Sequence, residues 1–280
     1  MLKRFETLPI HFLLALGALA MILPYAWMVS TSLKSQSSVF TYPPQWIPTE
    51  WAWQNYVRAW QAAPFARYFF NSIVVALAVT LGDLITSALA AFAFARIKFP
   101  LRDALFAIYL ASLMIPHQMT IIPSFLILKT MGDFHPAFGL DTYFALIAPF
   151  AASAFGVFLL RQSFLQIPSE LEDAATLDGC GRFEFLWRVV VPLSRPALAT
   201  LALFAFMGNW NSYLWPLIVT NSNDMRTVQI GLRYFVGQEG ASQWALLNAA
   251  AVFVSLPIVV FYLLVQKQFI QGIATTGIKQ

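Results

Sequence analysis

The sequence predicts an all-α polytopic membrane protein with six transmembrane helices. Composition, segment length and the placement of charge carry that prediction. Of 280 residues, 59% are apolar and 11% charged, against about 45–50% and about 25% in a soluble globular domain. Six segments are long and apolar enough to cross a bilayer, which takes about 20 residues at about 1.5 Å of rise each. Together the six hold one acidic or basic side chain, Asp83. A charge at mid-bilayer costs at least about 2.5–3.5 kcal/mol, so this partition is what hydrocarbon demands. A soluble helical protein would need a charged face on every helix, and none has one. The net charge of +4, from 17 Lys and Arg against 13 Asp and Glu, is too mild and too thinly spread for a nucleic-acid binder. Cys180 is the only cysteine, which excludes an intrachain disulfide and a thiolate metal cluster. His11, His117 and His135 have no metal-ligand spacing.

The first span is Ile10–Val29. Lys3 and Arg4 precede it, as in a signal peptide, but the run is longer than a typical signal core and no small-x-small cleavage site follows, so it reads as retained. Residues 1–71, the first span and an outer loop, form one region; 72–265 form the core, and 266–280 a tail. The loop from Thr31 to Asn71 is rich in Trp, Tyr and Pro (Tyr42, Trp46, Trp51, Trp53, Tyr56, Trp60). Such rings prefer a membrane interface; the loop lies on the outer surface, docks an external partner, or both. The second span is Ser72–Ala95 and carries Asp83. The third, Ala104–Leu128, contains Pro116 and Pro123, and the fourth, Tyr143–Leu160, contains Pro149. The fifth, Ala197–Ile218, gathers Asn209, Trp210, Asn211, Tyr213 and Trp215 before Pro216. The sixth, Trp244–Val265, contains Pro257. With the N-terminus inside, the inner segments hold eleven basic residues and the outer ones six, which favours both termini in the cytoplasm.

The segment 161–196, between the fourth and fifth spans, is not membrane. Local physics predicts a helix–turn–helix. Ser169 is an N-cap candidate, with Glu170, Glu172 and Asp173 in the first turn, where the positive helix end favours them. Leu171, Ala174, Ala175 and Asp178 follow helical spacing, and Gly179 suits a left-handed C-terminal cap. A second helix runs from about Arg182 to Val191, with Phe183, Leu186, Trp187 and Val190 on one face, and Pro192 and Pro196 interrupt it. An acidic face is repelled by an anionic inner leaflet, so the first helix points to a protein partner.

Asp173-Ala174-Ala175 with Asp178-Gly179, followed by Val191-Pro192-Leu193 and Pro196, resembles the Glu-Ala-Ala…Gly signature of ABC importer permeases. Asp173 stands where the signature has Glu, which keeps the charge and loses a methylene. Met114-Ile115-Pro116 with Ile121-Ile122-Pro123 and Phe125 resembles the third-span pattern of the carbohydrate-uptake branch. Asn209-Trp210-Asn211 with Tyr213-Leu214-Trp215-Pro216-Leu217 resembles its fifth-span pattern. The tail Gln266-Lys267, Phe269-Ile270, Gly272 and Gly277-Ile278-Lys279 fits as well. The similarity covers nearly the whole chain and is weakest in the outer loop.

The resemblance implies a type I ABC importer permease fold and a membrane-spanning subunit that moves a sugar, related polyol or glycerol phosphate into the cytoplasm. It implies a bacterial or archaeal inner membrane, a homologous permease as heterodimer partner, two cytoplasmic ATPase subunits and an external solute-binding protein. It places Glu170, Glu172, Asp173, Ala174, Ala175, Asp178 and Gly179 in a coupling helix that docks on the ATPase. ATP belongs to that partner, since this chain lacks Gly-x-x-x-x-Gly-Lys-[Ser/Thr]; no cofactor, metal or catalytic residue of its own is expected. Asp83, Asn209, Trp210, Asn211, Tyr213 and Trp215 are translocation-path candidates, because buried polar groups in a span face a wet cavity or another helix. Asp83 either accepts hydrogen bonds from a neutral solute or pairs with a polar neighbour; the amides either line the path or bond between helices. An ion-coupled secondary transporter is the alternative, but would bring more spans, an internal repeat and several buried acids. An intramembrane enzyme would need a His-Glu-x-x-His or Ser/His motif, and none is present.

Overall fold

The computed structural model describes residues 8–237 and 242–276; Lys3, Arg4, Gly277, Ile278 and Lys279 lie outside the described residues. There is no strand among the described residues. Four helical stretches are long and apolar enough to cross a membrane, and six if each of two sharply bent helix pairs counts as one span. The chain forms two compact units, residues 1–65 with 230–256, and residues 66–229 with 257–280.

The first unit holds α1 (Leu8–Ser32) and α2 (Gln54–Gln61), which lies within the predicted outer loop. The chain leaving α1 is pinned by Asn55, whose Nδ2 donates to the carbonyls of Ser32 and Lys34 at 2.9 and 2.8 Å. Lys34 is buried with its ammonium 4.0 Å from the Trp27 ring centroid. Burial pushes its pKa down from the ordinary lysine range. Gln36 bridges the chain to 242–245, donating to Ser242 O and accepting from Ala245 N. Tyr42, Trp46, Trp51 and Trp53 remain exposed.

The second unit is built on α3 (Phe65–Arg96), a 32-residue helix that starts seven residues before the predicted second span. At about 1.5 Å per residue it reaches about 48 Å, longer than the hydrocarbon core. Ala88, Ala91 and Phe92 of α3 pack with Phe106, Leu160, Phe164, Phe185 and Leu201 in one core. Val75 and Val79 pack with Ile121, Leu146, Trp215 and Val219 in another. Asp83 lies on α3 between the two.

The next three predicted spans are not continuous helices. The third divides into α4 (Arg102–Ala111), with a tight turn over Ser112–Met114, and α5 (His117–Phe134), bent by 98°. Ile115 and Pro116 at the bend are extended, since the residue before a proline is driven out of the helical region. Pro123 sits unbroken inside α5. The fourth divides into α6 (Tyr143–Ile147), a tight turn over Ala148–Phe150, and α7 (Ala154–Leu165). The fifth divides into α10 (Arg195–Trp210) and α11 (Leu214–Val219). The last predicted span lies within α13 (Trp244–Thr276), which carries Pro257 without ending.

Between α7 and α10 the chain forms α8 (Ser169–Leu177) and α9 (Arg182–Phe185), then a wider π turn over Leu186–Val190. Pro192 has no N–H for the Arg188 carbonyl, which favours that wider winding. The winding also changes the buried face. Phe185, Leu186 and Val190 are buried, while Phe183 and Trp187 are exposed and meet edge to face at 6.0 Å. The even helical face predicted for Phe183, Leu186, Trp187 and Val190 is therefore not formed. Short α12 (Val228–Leu232) follows the loop after α11.

Candidate functional site

The breaks in the third, fourth and fifth spans meet. His117 and Gln118 begin α5, Pro149, Phe150 and Ser153 mark the break in the fourth span, and Asn209, Ser212, Tyr213 and Trp215 flank that in the fifth. Together with Asp83 they line a cavity of 510 Å³ within the second unit. Helix ends leave backbone groups unpaired, so three breaks at one level gather polar surface inside an otherwise apolar bundle.

Asp83 is 4% exposed. Its Oδ1 accepts hydrogen bonds from Ser87 Oγ at 2.8 Å and Ser153 Oγ at 2.9 Å, and Oδ2 accepts from Ser153 Oγ at 3.0 Å. Ser153 caps α7, its Oγ accepting from Gly156 N at 2.9 Å. A Cβ on Gly156 would collide with Ser87 Oγ and lie 3.0 Å from Asp83 Oδ1; only glycine permits this approach. One turn away, Thr86 Oγ1 donates to Ala151 O at 2.8 Å. Asp83 and its neighbours thus hold the fourth-span break against α3.

Four of the six path candidates line this cavity: Asp83, Asn209, Tyr213 and Trp215. Asn209 Nδ2 donates to Ala205 O one turn back. Trp215 is buried, and its Nε1 donates to Ala145 O at 3.0 Å. Trp210 and Asn211 are not among the lining residues. Trp210 is 1% exposed, stacked on Phe206 at 5.8 Å and edge-on to Phe69 at 5.8 Å. Asn211 is exposed and its Oδ1 accepts from Gln229 Nε2 at 3.3 Å. Sequence reasoning missed His117, Gln118 and Ser153. The polar pair after Pro116, in an otherwise apolar run, was the readable signal for the first two; Ser153, a lone serine among alanines, offered none.

The coupling element forms separately. Ser169 is the first helical residue rather than the cap, which Pro168 occupies. At the other end Cys180 N donates to Ala175 O at 2.9 Å and Gly179 N to Thr176 O at 3.0 Å, with Gly179 at φ +78°. This is the Schellman closure the glycine predicts. Glu170, Asp173, Ala174, Asp178 and Gly179 are exposed, and Leu177 is 89% exposed. Glu172 behaves differently: its Oε2 lies 3.5 Å from Arg96 Nη1. Arg96 ends α3, and its Nη2 also donates to the carbonyls of Phe164 and Ile167. Ala175 and Cys180 pack against the core containing Phe185 and Leu186. The half-buried Ala175 and Glu172 thus seat the helix, leaving Glu170, Asp173, Leu177 and Asp178 outward. Desolvation, followed by the nearby Glu184 carboxylate, pushes the Cys180 thiol pKa up.

Residues 83–275 match the family described as binding-protein-dependent transport system inner membrane component. The chain belongs to this family of ABC importer permeases. It is a transport component and not an enzyme, and the family fits binding-protein-dependent import rather than ion-coupled secondary transport. It is 36% identical over 94% of both chains to the sn-glycerol-3-phosphate transport system permease protein UgpE of Yersinia enterocolitica. The protein of the same name from Rhizobium meliloti is 34% identical over 95% of both chains. Among solved structures, a bacterial ABC transporter involved in the import of the acidic polysaccharide alginate matches with a TM-score of 0.79 at 25% identity, over 95% of this chain and 97% of that one. The bacterial alginate ABC transporter in complex with alginate pentasaccharide-bound periplasmic protein shares the fold, with a TM-score of 0.64 at 16% identity and 94% coverage of each chain.

Proposed function

We propose that this permease pairs with a homologous subunit, docks a cytoplasmic ATPase on α8, and carries a sugar, polyol or glycerol phosphate inward through the cavity at the broken helices. The exposed acidic end of α8, held from behind by Arg96–Glu172 and closed at Gly179, is the observation that carries the reading. It presents Glu170, Asp173 and Asp178 outward along a helix that ends on exposed Leu177, an acidic surface with an apolar tip that suits a cleft with basic walls. ATP binds and is hydrolysed on the partner. The termini and α8 lie on the cytoplasmic side, where the basic residues concentrate, and the exposed tryptophans of the outer loop face the solute-binding protein. Relatives named for sn-glycerol-3-phosphate transport support the small polar cargo.

The test is ATP-dependent uptake into proteoliposomes holding both permeases, the ATPase and the loaded binding protein. Uptake that disappears without ATP and falls with Gly179→Val supports the reading. Uptake that persists without ATP and collapses with an ion gradient refutes it.

A further inference from the structure

We infer that Asp83 sets the charge selectivity of the path, and that the cargo of this permease is an uncharged polyhydroxylated solute, a neutral sugar or polyol, rather than a phosphate or carboxylate. The inference rests on the importer reading above and narrows its cargo.

The cavity wall carries one carboxylate and no lysine or arginine among its described lining residues. Among the described residues Asp83 takes part in no ion pair; its recorded partners are the neutral hydroxyls of Ser87 and Ser153. Those hydroxyls donate to it and bring no positive charge to the site. At 4% exposure the charge is little screened by water, and an unpaired carboxylate at the wall of a low-dielectric bundle disfavours an anion in the space beside it. The remaining polar lining is the imidazole of His117, which lies against the rings of Phe150 and Trp215, together with Gln118, Asn209, Ser212 and Tyr213, uncharged side chains that both donate and accept. That set matches hydroxyl groups, with the ring of Phe150 beside them as an apolar face. The cargo named for the relatives and for the alginate transporter is anionic; this cavity points the other way.

The experiment uses the complete reconstituted transporter with its binding protein, and the matched probes glycerol and sn-glycerol 3-phosphate, and glucose and glucose 6-phosphate. Wild-type protein is expected to show ATP-dependent uptake of a neutral member and at least about tenfold less of its phosphate. Asp83→Asn keeps the acceptor for Ser87 and Ser153 and is expected to narrow that ratio by about tenfold; Asp83→Lys is expected to narrow it further or invert it. Complex yield and ATPase rate are measured in parallel, and because wild-type preference alone tests the inference, a variant that fails to assemble does not shelter it. Preferential wild-type uptake of a phosphorylated probe, or a ratio unmoved in an assembled Asp83→Asn transporter, overturns the inference and leaves the importer reading standing. Absence of ATP-dependent uptake for every probe counts against the importer reading and takes the inference with it.

Discussion

Gly179 offers a substitution whose cost can be worked from geometry. It holds φ +78°, and a Cβ built there meets nothing within 4 Å. The penalty for another residue is therefore backbone strain and not collision. A left-handed conformation costs an L-residue about 1–2 kcal/mol, with asparagine the mildest case. Valine, branched at Cβ, belongs at the upper end. Gly181, two residues on, also has open space but sits at φ −72°, ψ 158°, where any side chain is tolerated. The expected order of damage is therefore Gly179→Val, then Gly179→Ala, then Gly179→Asn, with Gly181→Val near wild type. A strain of about 2 kcal/mol shifts the closed cap by about thirtyfold against open forms. The readout is substrate-stimulated ATPase activity and uptake in the reconstituted complex, with complex yield as the control for assembly. Gly179→Val is expected to leave the complex in the membrane while stimulation falls severalfold. Equal effects at Gly179 and Gly181, or wild-type coupling in Gly179→Val, would refute the argument that the left-handed cap shapes the docking surface.

Other substitutions separate seating from docking and packing from path. Arg96→Gln strips the carbonyls of Phe164 and Ile167 and the Glu172 carboxylate at once, and should cost about 3 kcal/mol; Glu172→Gln, on a partly exposed pair, should cost under about 1 kcal/mol, both read as thermal unfolding in detergent. Trp210→Ala should cut complex yield, since removing a buried tryptophan costs about 3–5 kcal/mol, whereas Asn209→Ala should keep yield and reduce uptake. Maleimide labelling of Cys180 requires the thiolate, so its raised pKa makes labelling slower at neutral pH than for a free thiol and moves the rise to more alkaline pH. Glu184→Gln should move that rise back toward neutrality and Arg188→Gln further away, because Glu184 raises the thiol pKa and Arg188 lowers it.

Much of this architecture was written in the sequence at the level of single helices. The first, second and sixth spans lie inside observed helices because each is a long apolar run, and the prolines within the first and sixth, Pro24 and Pro257, do not end them. Gly179 was legible because one backbone conformation calls for one residue type. The broken spans were not legible in the same way. Pro116 and Pro123 look alike in sequence, yet only the first stands at a bend, since a proline's effect depends on whether neighbours satisfy the freed carbonyl. The interruption after Trp210 lies among polar residues that suit a helix surface equally well. Trp210 and Trp215, predicted together, part company because the chain breaks between them. The Asp83–Ser153 contact joins residues 70 apart, and no local pattern announces it.

The central claim is that the acidic, leucine-tipped end of α8 seats in a cytoplasmic ATPase. The most direct measurement is a site-specific crosslink. A Cys180→Ser, Leu177→Cys permease, carrying a cleavable photo-crosslinker at residue 177, is illuminated in inside-out membrane vesicles containing the full transporter. The account predicts a covalent adduct with the ATPase subunit, weakened by Gly179→Val. Labelling only from the outer face of the membrane, or adducts with lipid alone, would contradict it.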